Sequence, residues 1–152
     1  MSSFHSKYRE SASASIGLSF IKAYNLWHKM IKEELNIINL THPQFVVLAS
    51  LSYLSQNNEE VNQITISKQS DIDVMTVSTI IKNLEKSMLI IRKESKTDSR
   101  AKSVYLTKKG QMVLNKALPL VEEVDTRFFG VLASQKELFN ILLQTLTREH
   151  IE

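Results

Sequence analysis

The apolar pattern predicts a mainly α fold (α+β overall) with a single β-hairpin set among helices. Three observations carry this. Apolar residues recur every three or four positions across residues 16 to 38. The period switches to two after Leu89, through "LIIRK" and "KSVYL". Helical spacing then returns from Thr107 to about Leu132, and again after "SQKE" at 134 to 137. Hydrophobic residues make up 43% of the 152-residue chain, which suits a folded core rather than disorder.

The first helix places Ile16, Phe20, Ala23, Tyr24, Trp27, Met30, Ile31, Leu35 and Ile38 on one broad face. Before it, "MSSFHSKYRESASAS" lacks the basic-then-apolar order of a signal peptide and reads as a short, frayed lead-in. "THPQ" at 41 to 44 is a capping box, with Pro43 tolerated because first-turn amides have no helical partner. The helix it opens carries Phe45, Val46, Leu48, Ala49, Leu51 and Leu54 and stops near the polar "QNNEE". A short helix is expected near Ser67 to Asp71, then a tight turn without glycine at "DIDV". Asp73 is a good N-cap for the next helix, which runs to about Ser87. Its inward stripe is Val77, Ile80, Ile81, Leu84 and Met88. Thr76, Ser78, Thr79, Lys82, Asn83 and Lys86 face out.

The strands "LIIRK" and "KSVYL" flank "ESKTDSRA", a long, exposed, cationic loop. In the helix from Thr107, Val113, Leu114, Leu118, Val121, Val124, Phe128 and Phe129 are the apolar positions, and Pro119 should bend it or break it in two. "SQKE" reads as a second capping box, opening a last helix with Leu138, Phe139, Ile141, Leu142, Leu143 and Leu146. These outer helices have too little core of their own, so pairing with a second copy would bury them.

Net charge is only +3, but it is unevenly spread. Residues 64 to 116 hold eleven Lys or Arg against five acids, so the middle carries +6 and the remainder −3. A basic middle suits a polyanionic partner, and equally a solvated lysine-rich surface. The order of elements decides between them. Two short helices followed by a basic hairpin describe a winged helix-turn-helix, with small hydroxyls, an amide and lysines facing a DNA major groove.

With these residues in hand, the chain resembles the MarR family of transcriptional regulators over nearly all its length. The most specific piece is "DSRAKSVYLTKKG", which fits an Asp-x-Arg wing tip followed by Leu-Thr-x-x-Gly. "LTHPQFVVL" resembles the start of the family's second helix and "TVSTIIKNLEKSMLI" its recognition helix. The resemblance implies one MarR-like domain over 1–152, with the DNA-binding part at about 41–106 and dimerisation helices at about 12–38 and 107–150. It implies base contacts from Thr76, Ser78, Thr79, Lys82 and Asn83, and a minor-groove arginine at Arg100 oriented by Asp98. Lys68, Arg92, Lys93 and Lys102 are the expected phosphate contacts, and Lys96 is a DNA-binding cation beside Arg100 at the wing tip. It also implies small aromatic effectors, for which Tyr24 and Trp27 are the candidate contacts; an aromatic stripe is otherwise simply core. The family usually has Gly where this chain has Met88, and a left-handed helix cap is harder to form there without it.

Nothing in the sequence points to catalysis. The chain has no cysteine, which excludes disulfides, thiolate metal sites and the family's peroxide-sensing mode, and fits a cytoplasmic protein. His5, His28, His42 and His150 stand singly, so no metal or cofactor site is expected. None of the three glycines makes a phosphate-cradling loop. No apolar run approaches the ~20 residues of a membrane span. The expected function is a homodimeric, sequence-specific repressor of a pseudo-palindromic duplex operator, relieved by a small-molecule effector. The alternative is a winged-helix protein-interaction module that does not bind DNA.

Overall fold

A computed structural model describes residues 3–150. The elements are α1 (Ile16–Asn36), α2 (His42–Ser55), α3 (Gln63–Ser70), α4 (Val74–Lys86), β1 (Ile90–Glu94), β2 (Lys102–Leu106), α5 (Lys108–Gly130) and α6 (Lys136–Glu149). The mainly helical class with one antiparallel hairpin is as the sequence predicts. The chain divides into two compact units. One comprises the chain up to Ile31 with the chain from Glu122 onward; the other is Lys32–Val121.

The Lys32–Val121 unit holds most of the core. Leu35, Val47, Leu48, Leu51, Ile66, Val77, Ile81, Leu84, Ile90, Val104 and Leu114 are all essentially inaccessible. Local chemistry starts each helix. Thr41 and Gln44 form the expected reciprocal capping box on α2, and Asp73 accepts the Thr76 N–H to cap α4. Such caps stabilise a helix by about 1 kcal/mol each. β1 and β2 pair in antiparallel register, with Ile90 opposite Leu106 and Arg92 opposite Val104.

Four expectations need correction. α3 begins at Gln63 rather than near Ser67, because Asn62 and Thr65 make their own capping box. Of the two outcomes expected of Pro119, a break does not occur: α5 runs unbroken through it, with buried Leu114 and Ala117 before it and Val121 after it holding both sides of the proline to one core. Ser134–Glu137 does not form a capping box. Ala133–Gln135 is a 3₁₀ turn, and Gln135 precedes α6 without a side-chain cap. Met88 is not part of the inward stripe: it is 65% exposed, because α4 ends at Lys86 and Leu89 takes the buried position instead.

Met88 nevertheless adopts the left-handed conformation that usually calls for Gly, at φ 59°. The Leu89 N–H reaches back to Leu84 O over 2.9 Å and the Met88 N–H to Glu85 O over 2.9 Å. These two bonds are a Schellman closure. α1 ends the same way through Asn39, at φ 55°, with the Leu40 N–H on Leu35 O. The helix–wing junction therefore keeps the closure that Met88 makes harder.

In the other unit little is buried. α6 has no buried residue, and Leu138, Ile141, Leu142 and Leu146 are each more than half exposed. The Trp27 indole N–H donates to Asp125 Oδ1 over 2.8 Å, joining α1 to α5 within that unit. No helix among the described residues is long and apolar enough to cross a membrane.

Candidate nucleic-acid interface

α4 is the two-faced helix the sequence describes. Val77, Ile80, Ile81 and Leu84 point into the core, while Thr76, Thr79, Lys82, Asn83 and Lys86 are exposed and Ser78 is half-buried. Two hydroxyls on the outer face are occupied locally: Thr76 donates to Asp73 Oδ2 and Thr79 to Met75 O at 3.3 Å. The Thr76 hydroxyl and N–H hold the Asp73 carboxyl below its ordinary range. Among the described residues, the Lys82 and Asn83 side chains form no hydrogen bond or ion pair, so both are available to a partner. Lys68 is exposed in the last turn of α3.

The wing is fastened to α4. Arg92 on β1 grips Glu85 of α4 through Nη2 at 2.6 Å and Nε at 3.1 Å. That hydrogen bonding, with the Arg92 and Lys102 charges, holds the Glu85 carboxyl below the usual range. Part of Arg92's capacity is thus used to set the hairpin against the helix. Lys93 lies 5.6 Å from the Tyr105 ring centroid, a cation–π contact along the sheet.

Residues 95–101 form the loop between the strands. The Asp98 carboxylate accepts the backbone N–H of Arg100 at 2.9 Å. The orientation expected of Asp98 is therefore exerted on the Arg100 backbone rather than on its guanidinium. Arg100 is exposed at the tip and, with Arg92, Lys102 and the start of α3 at Asn62–Ile64, lines a cleft of about 290 Å³. Three cations therefore line this cleft, of which Arg92 is paired with Glu85.

Sequence reasoning missed Glu60. Its carboxylate accepts Ser95 Oγ at 2.7 Å, the Lys96 N–H at 2.7 Å and Thr97 Oγ1 at 3.2 Å. The Lys96 N–H, then the Ser95 hydroxyl, draw its pKa below the ordinary value. No short-range signal could have identified it, because its partners lie 35 to 37 positions away.

Tyr24 and Trp27, the candidate effector contacts, line an apolar groove of about 280 Å³ with Phe20, Ala23, Phe128, Phe129, Phe139 and Leu143. Their ring centroids are 6.1 Å apart. The groove is built by α1, α5 and α6. Among the described residues, no three His, Cys, Asp or Glu side chains are placed to hold a metal ion.

The ArnR1-like, winged-helix domain family matches residues 33–125. The HTH-type transcriptional regulator YdcH of Bacillus subtilis is 34% identical across 95% of this chain and 97% of its own. A MarR variant from Escherichia coli, solved with operator DNA, superposes with a TM-score of 0.79 at 17% identity, over 93% of this chain and 98% of that one. The chain belongs to the MarR family of winged-helix transcriptional regulators. Another structure of the same fold is BpsR of Bordetella bronchiseptica, with a TM-score of 0.78 at 22% identity, over 93% of this chain and 98% of that one. Within the MarR-family architecture, α3 and α4 are the helix-turn-helix and β1–β2 the wing.

Proposed function

We propose that this MarR-family regulator is a homodimer that binds a pseudo-palindromic duplex operator and represses transcription until a small aromatic effector releases it. It works in the cytoplasm and catalyses no reaction. One observation carries the reading: the Lys32–Val121 unit has a helix with a polar and cationic outer face, on which Lys82 and Asn83 have no partner among the described residues, joined by an ion pair to a hairpin whose tip presents Arg100. Thr76, Ser78, Thr79, Lys82 and Asn83 would meet base edges in the major groove. Arg100 would enter the minor groove, positioned by Asp98, and Lys68, Arg92, Lys93, Lys96 and Lys102 would meet phosphates. The MarR variant bound to operator DNA supports this use of the fold.

The exposed apolar residues of α6 support dimerisation, since a face of this kind is stable in water only when covered. The aromatic groove around Tyr24 and Trp27 supports an effector site. So does BpsR, whose DNA binding is regulated by 6-hydroxynicotinic acid. The experiment is selection of bound duplexes from a random pool at low salt, repeated with small aromatic acids, with sedimentation of the protein alone. Recovery of a two-fold-related sequence, its loss with one of the acids, and a dimer at micromolar concentration are expected. Failure to retain any duplex would leave the protein-interaction reading in its place.

A further inference from the structure

We infer that Glu60 is a positioning residue for the wing, fixing where Arg100 is presented. The inference rests on the proposed reading that Arg100 meets DNA. Residues 95–101 have no core of their own: only Ser95 and Ala101 are even half-buried. A loop of this kind samples many conformations unless polar contacts select one. Glu60 supplies the selection from outside the hairpin. Its neighbour Val61 is buried and its carbonyl accepts the Val104 N–H of β2 over 2.7 Å, so Glu60 stands beside a point fixed to the sheet.

From Glu60 an unbroken line of hydrogen bonds reaches the tip. Ser95 donates its hydroxyl proton to the carboxylate. A hydroxyl has one proton and two lone pairs, so this donation turns the lone pairs toward the Thr97 and Asp98 N–H groups, each at 3.2 Å. Asp98, so placed, accepts the Arg100 N–H at 2.9 Å, and its carbonyl takes the Ala101 N–H at 3.1 Å. The charge matters as well as the geometry. A carboxylate at the root offsets the mutual repulsion of Lys96, Arg100 and Lys102, and only an ionised one accepts all these donors.

The test is a two-by-two comparison of Glu60→Gln and Arg100→Ala, with a duplex retained by the parent from the random pool. Gln keeps the side-chain length but offers one oxygen and a donor where Glu60 offers two acceptors. Glu60→Gln should weaken duplex binding by about tenfold, because an arginine no longer preorganised must be ordered on binding. Amide exchange across residues 95–101 should quicken, while thermal unfolding of the rest changes little. In the Arg100→Ala background the same substitution should cost much less, no more than the phosphate contact of Lys96, whose backbone Glu60 also holds. Ser95→Ala breaks the next link, should behave alike, and serves if Glu60→Gln folds poorly. An equal loss in both backgrounds would assign Glu60 a merely structural role, and unchanged affinity in Glu60→Gln would remove the inference alone. A parent that retains no duplex would remove the DNA reading and the inference together.

Discussion

The Thr107 hydroxyl donates to the Met88 carbonyl over 2.7 Å, tying the entrance of α5 to the left-handed residue that closes α4. The same oxygen accepts the Gly110 N–H at 2.9 Å. The Thr107 N–H reaches Leu89 O at 3.0 Å, and Lys109 Nζ reaches Ser87 O at 3.1 Å. The Leu-Thr-x-x-Gly run after the wing thus satisfies three successive carbonyls at the end of α4. Its function here is to set a junction.

Met88 is strained but exposed, so Met88→Gly should relieve the left-handed backbone without emptying any core. A residue with a Cβ pays roughly 1–2 kcal/mol in that region, and the added freedom of unfolded glycine returns part of the gain. A stabilisation of about 0.5–1 kcal/mol is expected, read as a higher urea midpoint at constant m-value. A destabilised variant would show that the Met88 side chain packs where its exposure says it does not.

Gly110 has the opposite requirement. A Cβ there would collide with the backbone carbonyl of Leu89, an atom that cannot swing aside. Gly110→Ala should therefore destabilise by about 1–3 kcal/mol, as overpacking does. Denaturant unfolding measures it, and a neutral result would mean that the α4–β1 junction yields more easily than its hydrogen bonds suggest.

Acid should weaken the Lys32–Val121 unit through Glu60, Asp73 and Glu85. All three are drawn below their ordinary values, 4.5 for Glu and 3.8 for Asp, by hydrogen bonds to the ionised form. A carboxyl with a depressed folded pKa contributes stability that is complete above the unfolded value and is lost as pH falls through the folded one. From these groups, stability should be level from neutrality to about pH 5 and decline toward pH 3. Glu85→Gln should be less stable than the parent at neutral pH, and the gap should narrow as the pH falls below 4.5. A gap of constant size would show that packing, not charge, holds Arg92.

At the wing tip, Arg100→Ala should sharply weaken operator binding and leave folding intact. Arg100→Lys should rescue it only in part, because a strongly hydrated ammonium enters a narrow groove less readily than a flat guanidinium. Asp98→Asn should stay close to the parent, since the amide oxygen still accepts the Arg100 N–H, whereas Asp98→Ala should lose affinity. Operator titrations at one salt concentration decide this; equal binding by Arg100→Ala and the parent would take the wing out of the DNA contact.

Base readers and phosphate contacts should separate on α3 and α4. Thr79→Ala or Asn83→Ala should cost about 1–3 kcal/mol at one or two base positions and shift sequence preference. Lys68→Ala should weaken all duplexes alike and shallow the salt slope by about one. Were Lys68→Ala to change the preferred sequence while the other two did not, the assignment of α4 to the major groove would be wrong.

What the sequence by itself determined is what short-range chemistry controls. The Thr41–Gln44 box and the Asp73 cap join residues three positions apart, and the change of period after Leu89 is a local pattern, so helices, hairpin and order could all be read directly. The same locality explains the errors. Asn62–Thr65 caps α3 with residue types outside the usual box, and Ser134–Glu137 has the right types but a chain that enters α6 through a 3₁₀ turn. Only the tertiary structure decided the rest. Pro119 stays within one helix because the core packs on both sides of it. Arg92 turns to Glu85, Asp98 holds the Arg100 backbone, and Glu60 meets a loop 35 positions away. Only the last of these pairings brings distant segments together, and chain closure over such a separation is favoured only once the core has brought the elements side by side.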